Sequence, residues 1–267
     1  DYFSVDRKTG VVTLIKPLDR EREDKIEVII SITDSSQDGE EPNTVSLRKE
    51  IQILDVNDNY PIFENGPYSF SVPETTLVGT KVYDNIIVQD EDTGQNAEIS
   101  LECAKDSTIQ ACEAFSIQPV LLSSGKLRGV ITLNNPLDYE KLASYTLRLK
   151  ATDNGINGRL TSHTNVVIEV IDVQDQPPAF INSPYSLVLS ENSPSDTDVM
   201  TIKAQDQDTG NPHKLELFIR NEPKGYFKLG NIISDERNIV TVQLMTTTVK
   251  IDREDPIILE NGGLYVF

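Results

Sequence analysis

Along most of the chain apolar residues alternate with polar ones instead of recurring at three- and four-residue spacing. Tyr145-x-Leu147-x-Leu149-x-Ala151, Val166-x-Ile168-x-Val170 and Val45-x-Leu47 with Ile51-x-Ile53 each put every second side chain on one face. That is the pattern of a half-buried strand. Ile26-x-Val28-x-Ile30-x-Ile32 repeats it, and clusters such as Asn134-Asn-Pro136 and Asp153-Asn-Gly-Ile-Asn-Gly158 separate the runs as turns. Roughly seven short strands in about 115 residues predict an antiparallel β-sandwich. No amphipathic helix is predicted.

The pattern is itself periodic, and a fixed period decides architecture before any single strand does. Asp55-Val-Asn-Asp-Asn59 returns as Asp172-Val-Gln-Asp-Gln176, and Pro67-Tyr-Ser-Phe-Ser-Val-Pro-Glu74 as Pro184-Tyr-Ser-Leu-Val-Leu-Ser-Glu191, both 117 residues on. Asp90-Glu-Asp-Thr-Gly94 returns 116 residues on as Asp206-Gln-Asp-Thr-Gly210, and Leu18-Asp-Arg-Glu21 recurs as Leu137-Asp-Tyr-Glu140 and Ile251-Asp-Arg-Glu254. The expected organisation is the C-terminal part of one repeat at residues 1–57, a complete repeat at 58–174 and the N-terminal part of a third at 175–267. The stretches from Asn57 to Pro61 and from Gln174 to Pro178 each end in proline, and are expected to be short, stiff linkers.

Charge narrows the function. Among 267 residues there are 24 Lys and Arg against 43 Asp and Glu, a formal charge of −19. Such a surplus of anions disfavours binding to nucleic acid or to acidic lipid. No apolar run approaches the length of a membrane span. Two histidines leave little material for His-based zinc sites or triads, and both His163 and His213 sit in polar contexts expected to be exposed.

The carboxylates gather at unit ends and in loops. Asp90 and Asp92 stand at alternate positions just past a strand, where both can reach one cation. A hard cation such as calcium takes about 6–8 oxygens from carboxylates, amides and backbone carbonyls, and Asp55-Val-Asn-Asp-Asn59 offers all three kinds. An EF-hand is excluded, because counting from Asp90 puts Gln95 where its glycine would stand and Leu101 where its glutamate would stand. A metal-dependent hydrolase could also use paired carboxylates. It would need them in one copy, whereas here they recur with the repeat.

Pro-Glu, Leu-Asp-Arg-Glu, Asp-x-Asp, Ala-Thr-Asp and Asp-x-Asn-Asp-Asn, at this spacing over essentially the whole chain, resemble extracellular cadherin repeats of the nonclassical and protocadherin-related kind. The resemblance implies an all-β fold of tandem seven-stranded Greek-key sandwiches, Ig-like in architecture, with about three Ca2+ at each complete junction. At the first junction it implies Asp19 and Glu21, then Asp55, Asn57 and Asp58 of the linker, then Asp90, Asp92 and Asp153, with backbone carbonyls of Val56, Asn59 and Asn96. At the second it implies Glu74, Asp138 and Glu140, Asp172 and Asp175, and Asp206 and Asp208, with Val173 and Gln176 matching the carbonyl positions. Gln174 replaces the linker asparagine, and its added methylene puts the outermost ion of that junction in doubt. Glu191, Asp252 and Glu254 are expected to serve a further junction, and Asp34 a preceding one.

Cys103 and Cys112 fit either free core thiols or a hairpin disulfide, and the extracellular setting implied by the resemblance favours the bridge. The chain has no Trp, the residue that strand-swapping cadherins use at their tip. The expected function is calcium-dependent cell adhesion or mechanical linkage by the ectodomain of a plasma-membrane protein, not enzymatic. The expected partners are calcium and another cadherin, homophilic or heterophilic, with no nucleic acid and no direct membrane contact. A ligand-capturing receptor ectodomain on the same scaffold is the alternative.

Overall fold

The structure, a computed structural model, describes residues 2–34, 41–104, 109–220, 222–236 and 238–266. Two compact units are present. One comprises residues 1–70, 78–135 and 146–167, the other residues 71–77, 136–145 and 168–267.

The chain opens with two antiparallel hairpins. β1 (Phe3–Val5) pairs with β2 (Val12–Leu14), and β3 (Lys25–Thr33) with β4 (Thr44–Gln52). In the second hairpin Ile26 faces Ile51, Ile30 faces Leu47 and Ile32 faces Val45, so the alternation does define one apolar face. Ile26 is buried at its end, but Val45 and Leu47 are 73% and 54% exposed, against the half-buried expectation. Val28 and Ile30 on the same face are half-buried, so the cover is uneven, and a period of two fixes which side chains share a face, not how fully the face is covered.

The central repeat follows the predicted sandwich. β5 (Ile62–Glu64), β7 (Lys81–Gln89), β10 (Lys126–Leu133) and β9 (Phe115–Ser123) form one sheet in the order β5-β7-β10-β9. β6 (Tyr68–Pro73), β12 (Thr161–Ile171), β11 (Ser144–Thr152) and β8 (Ser100–Cys103) form the other, in the order β6-β12-β11-β8. Eight segments stand where seven strands were expected, because the first strand is divided into β5 and β6, one in each sheet. The break falls at Asn65-Gly66-Pro67, where Asn65 has a positive φ of 58° that a turn-forming asparagine tolerates. The Tyr68 hydroxyl donates to the Glu64 carbonyl at 2.7 Å and braces the break. Leu147, Leu149 and Ala151 of β11 and Val166, Ile168 and Val170 of β12 are buried, as their alternation predicts.

Next comes a sheet with the order β13-β14-β16-β15, from β13 (Ala179–Phe180), β14 (Asp198–Gln205), β15 (Phe227–Glu236) and β16 (Ile239–Thr246). This repeats the order β5-β7-β10-β9, so the sequence period is also a topological one. Ala204, Val240 and Val242 form its core, with Leu215, Leu217 and Leu229 packed against them. Residues 184–190, which match the β6 region by period, form no strand.

Among the described residues two short α-helices also stand, α1 (Ile109–Ala114) and α2 (Pro256–Glu260), where no amphipathic helix was expected. Neither is long enough to show a 3.6-residue period. The start of α2 is nevertheless written in Asp255-Pro256: the Asp255 side chain accepts from the Ile257 N–H, and proline occupies the first turn. Cys103 at the end of β8 and Cys112 in α1 are joined by a disulfide.

Candidate metal centres

Each unit contains one constellation of buried carboxylates, and strand ends position both. In the first, β7 ends at Gln89, so Asp90 and Asp92 follow it into the turn, both 4% exposed. β11 ends at Thr152 and delivers Asp153, 2% exposed. After β4 burial alternates, so that Asp55, Asn57 and Asn59 turn inward while Val56 and Asp58 face out. Glu21 comes from the turn at residues 20–22. Oxygens of Glu21, Asp55 and Asp92 lie within 4.8 Å of one another.

Hydrogen bonds orient this set. Asp55 accepts from the Thr93 N–H at 3.1 Å and from the Asn96 side-chain amide at 2.9 Å. Asp92 accepts from the Asn59 N–H and side-chain amide at 3.3 and 2.7 Å. Asp153 accepts from the N–H groups of Gly155 and Leu160, and Asn57 donates to it at 3.1 Å and to the Gly158 carbonyl at 2.7 Å. A side chain at Gly155 would collide with Asn57, so this approach needs glycine. Asp55 Oδ1, Asn57 Oδ1 and Asp90 Oδ2 are buried and have no hydrogen-bond partner. Burial, then the charges of Asp92, Asp153 and Asp55, push the Asp90 carboxyl up to about 6 against the pull of the Asp92 N–H. Burial also raises the pKa of Asp92, against the hydrogen bonds from Asn59.

The second constellation is built the same way. Asp206 and Asp208 follow β14 and are 2% and 0% exposed. Glu74 is buried, and its two oxygens accept from the N–H groups of Val173 and Tyr139, each at 2.7 Å. Glu140 accepts from the Thr209 N–H at 3.2 Å and Asp172 from the Asn211 N–H at 2.5 Å, leaving Glu140 Oε2 and Asp172 Oδ1 buried without a partner. Oxygens of Glu74, Glu140 and Asp175 cluster within 4.8 Å, as do those of Glu140, Asp172 and Asp208. Burial, then Glu74 and Asp172, raise the pKa of Glu140 against the Thr209 N–H. Burial pushes Asp208 up too, but hydrogen bonds from Gln176, Asp175 and Gln174 outweigh it and hold the carboxyl below its ordinary range.

Several sequence-picked residues stand apart from these clusters. Asp19 pairs with Arg22 at 3.0 Å and Asp138 with Lys141 at 2.6 Å, and the latter pair lowers the Asp138 pKa. Asp58 is exposed and accepts from the Asn59 amide. Asn96, picked for its carbonyl, uses its side chain, which donates to Asp55. The Val56 carbonyl accepts from the Asp58 N–H. Gln176 donates its N–H to Asp208 and its amide to Asp175. Gln174 points its amide nitrogen at Asp208, with Asp206 at 3.4 Å. Asp34 is exposed and holds Asn43, whereas Glu191, Asp252 and Glu254 form a third, exposed group.

Sequence reasoning missed two contributions. Backbone N–H groups of Thr93, Leu160, Thr209, Asn211 and His213 hold the carboxylates in place, and donors of that kind carry no residue signature. Arg20, given no role from the sequence, reaches Glu21 at 3.4 Å and Asp55 at 3.6 Å. Its only signal was its place between two acids in a turn.

The donor sets consist of oxygens, and the buried atoms of the two constellations without a hydrogen-bond partner are anionic or amide oxygens, so the residues fit a hard divalent cation. The family model of the Cadherin domain matches residues 1–54 and 68–171. The chain belongs to the cadherin family. Cadherin domains as a class bind Ca2+. The chain is 38% identical over 234 residues to Cadherin-87A of Drosophila melanogaster, covering 86% of this chain and 12% of that protein. It is 34% identical over 259 residues to Cadherin-23 of Homo sapiens, covering 96% and 7%. Against the solved structure of mouse protocadherin-24 EC1-3 the TM-score is 0.67 at 32% identity, covering 97% of this chain and 77% of that one. Against mouse Cadherin-23 EC22-24 it is 0.70 at 26% identity, covering 95% and 74%. This cadherin segment thus spans a small part of the curated relatives it matches.

Proposed function

We propose that the chain is a calcium-stiffened segment of a cell-surface adhesion or mechanical-linkage ectodomain, with repeat boundaries near residues 57 and 174. The observation that carries this is the set of buried carboxylate oxygens without a hydrogen-bond partner on Asp55, Asp90, Glu140 and Asp172, present in both constellations. A buried carboxylate oxygen with no hydrogen-bond donor is costly, and its recurrence with the repeat, at Asp55 and Asp172, supports a position kept for a cation. Without metal, each pair of carboxylates about 4 Å apart repels by roughly 1 kcal/mol even in water. Bound Ca2+ would supply the positive charge that turns this repulsion into attraction. Asp55, Asp90, Asp92 and Asp153 with Glu21 would hold it at the first centre, and Glu74, Glu140, Asp172, Asp206 and Asp208 at the second. Asp175, whose oxygen lies with those of Glu74 and Glu140, would hold it there too, and Asp19, Asp138 and Asp58 would join as outer ligands, the first two by leaving Arg22 and Lys141.

Because each centre draws on the end of one repeat, a linker and the start of the next repeat, an ion there restrains the linker. Three ions per junction would bring the formal charge from −19 to about −7. Extracellular calcium modules bind at about 10⁻⁴–10⁻³ M, which suits an ectodomain. Among the described residues no helix is long and apolar enough to cross a membrane. On this reading the carboxylates serve binding, not hydrolysis, and a further cadherin is the partner. Thermal melting and small-angle scattering with Ca2+ and with EGTA test the reading. The expected result is a higher melting temperature and a narrower range of particle dimensions with Ca2+; identical curves in the two conditions would refute it.

A further inference from the structure

The two centres differ most in the residue between the acids of Leu-Asp-x-Glu. At the first it is Arg20, whose guanidinium lies 3.4 Å from Glu21 and 3.6 Å from Asp55, with the three side chains only 23%, 17% and 16% exposed. Glu21 and Asp55 are two of the three residues whose oxygens converge in the first centre, the third being Asp92. A positive group is therefore tethered against the oxygens that a cation would use. At the second centre the position holds Tyr139. Its N–H bonds Glu74, and its ring packs so closely on Gly210 that a β-carbon there would fall 2.6 Å from the ring and 2.8 Å from the Asp172 β-carbon. Tyr139 brings packing but no charge. The other cations do not distinguish the centres, since Arg22 on Asp19 is matched by Lys141 on Asp138.

We propose that Arg20 is the affinity-setting residue of the first centre: a built-in counter-ion that draws Glu21 and Asp55 together without metal and has to withdraw when Ca2+ enters. The inference rests on the calcium reading of that centre. Its physical content is a competition. The attraction that stabilises the metal-free arrangement is lost on loading, so it is subtracted from the binding free energy of the ion. Charge is the operative property, and lysine should substitute for arginine where glutamine should not.

The test uses the whole chain with Asp172→Asn to weaken the second centre, titrated calorimetrically with Ca2+ and melted in EGTA. Arg20→Gln is expected to lower the dissociation constant of the first centre about two- to fivefold, the range of a partly exposed ion pair. It is also expected to lower the melting temperature in EGTA. Arg20→Lys is expected to keep both near the parent values. A lower EGTA melting temperature with an unchanged or weaker calcium affinity would make Arg20 merely structural and overturn the inference, and so would no change in either quantity. A parent protein that takes up no Ca2+ at the first centre would instead overturn the calcium reading, an outcome visible before any Arg20 variant is made.

Discussion

The first and second centres are two solutions to one electrostatic problem, written on the same frame of strand ends. In the first, the linker amide Asn57 donates to Asp153 and to the Gly158 carbonyl, which leaves its own oxygen buried and unclaimed. In the second, Gln174 is one methylene longer, and its amide nitrogen reaches Asp208 and approaches Asp206. The first centre has an internal cation in Arg20, the second the neutral ring of Tyr139. Without metal, the first centre is relieved by a charge from within. The second is relieved by amide donors crowded onto Asp208, and that carboxyl is held low while Asp90 of the first centre is pushed up. A repeat therefore conserves where its acids go more strictly than how their repulsion is contained.

The largest expected break in this comparison removes one acid from one centre. Asp55→Ala should weaken Ca2+ binding at the first centre, and Asp172→Ala at the second, each by roughly 10- to 100-fold, the equivalent of about 1.5–3 kcal/mol for a charged contact. Each should leave the other centre's calorimetric step in place; loss of both steps from one substitution would mean that the centres are not independent.

A smaller effect separates the centres by pH. The Asp90 carboxyl is raised to about 6 in the folded protein, so between that value and the ordinary carboxylate range the native state binds the extra proton. In EGTA, stability should rise as pH falls from 7.5 to 5.5, by about 0.5–1 kcal/mol from Asp90. Over the same interval protons compete with Ca2+, so apparent affinity at the first centre should fall. Melting with Asp90→Asn in EGTA checks the assignment, because the gain from Asp90 should vanish.

The smallest effect concerns the linker amide. Gln174→Asn should tighten the second centre about two- to fivefold, or ~0.5–1 kcal/mol, by retracting the amide from Asp208 and offering its oxygen as Asn57 does. Unchanged titration curves would show that the methylene is accommodated.

Much of this was legible in the chain itself. Alternation in Tyr145–Ala151 and Val166–Val170 located buried strands, and the 116- and 117-residue steps predicted a repeated unit that returns as a repeated sheet order. Placing Asp90 just past a strand required no more than finding where alternation stops. The division of the first strand was signalled only by Asn65-Gly66-Pro67, and the short helices were below the length at which a period shows. Uncovered Val45 and Leu47 show the limit of pattern, since alternation says nothing about what lies opposite.

By itself, then, the sequence determined the fold class, the period and the acids that recur with it, because strand periodicity and turn chemistry are local. Only the tertiary structure decided which acids converge, and that Arg20 points into a centre while Tyr139 covers a glycine. Those outcomes depend on distances between segments as much as a hundred residues apart and on backbone N–H groups that any residue supplies. Through-space electrostatics selects among the rotamers that a local pattern leaves open.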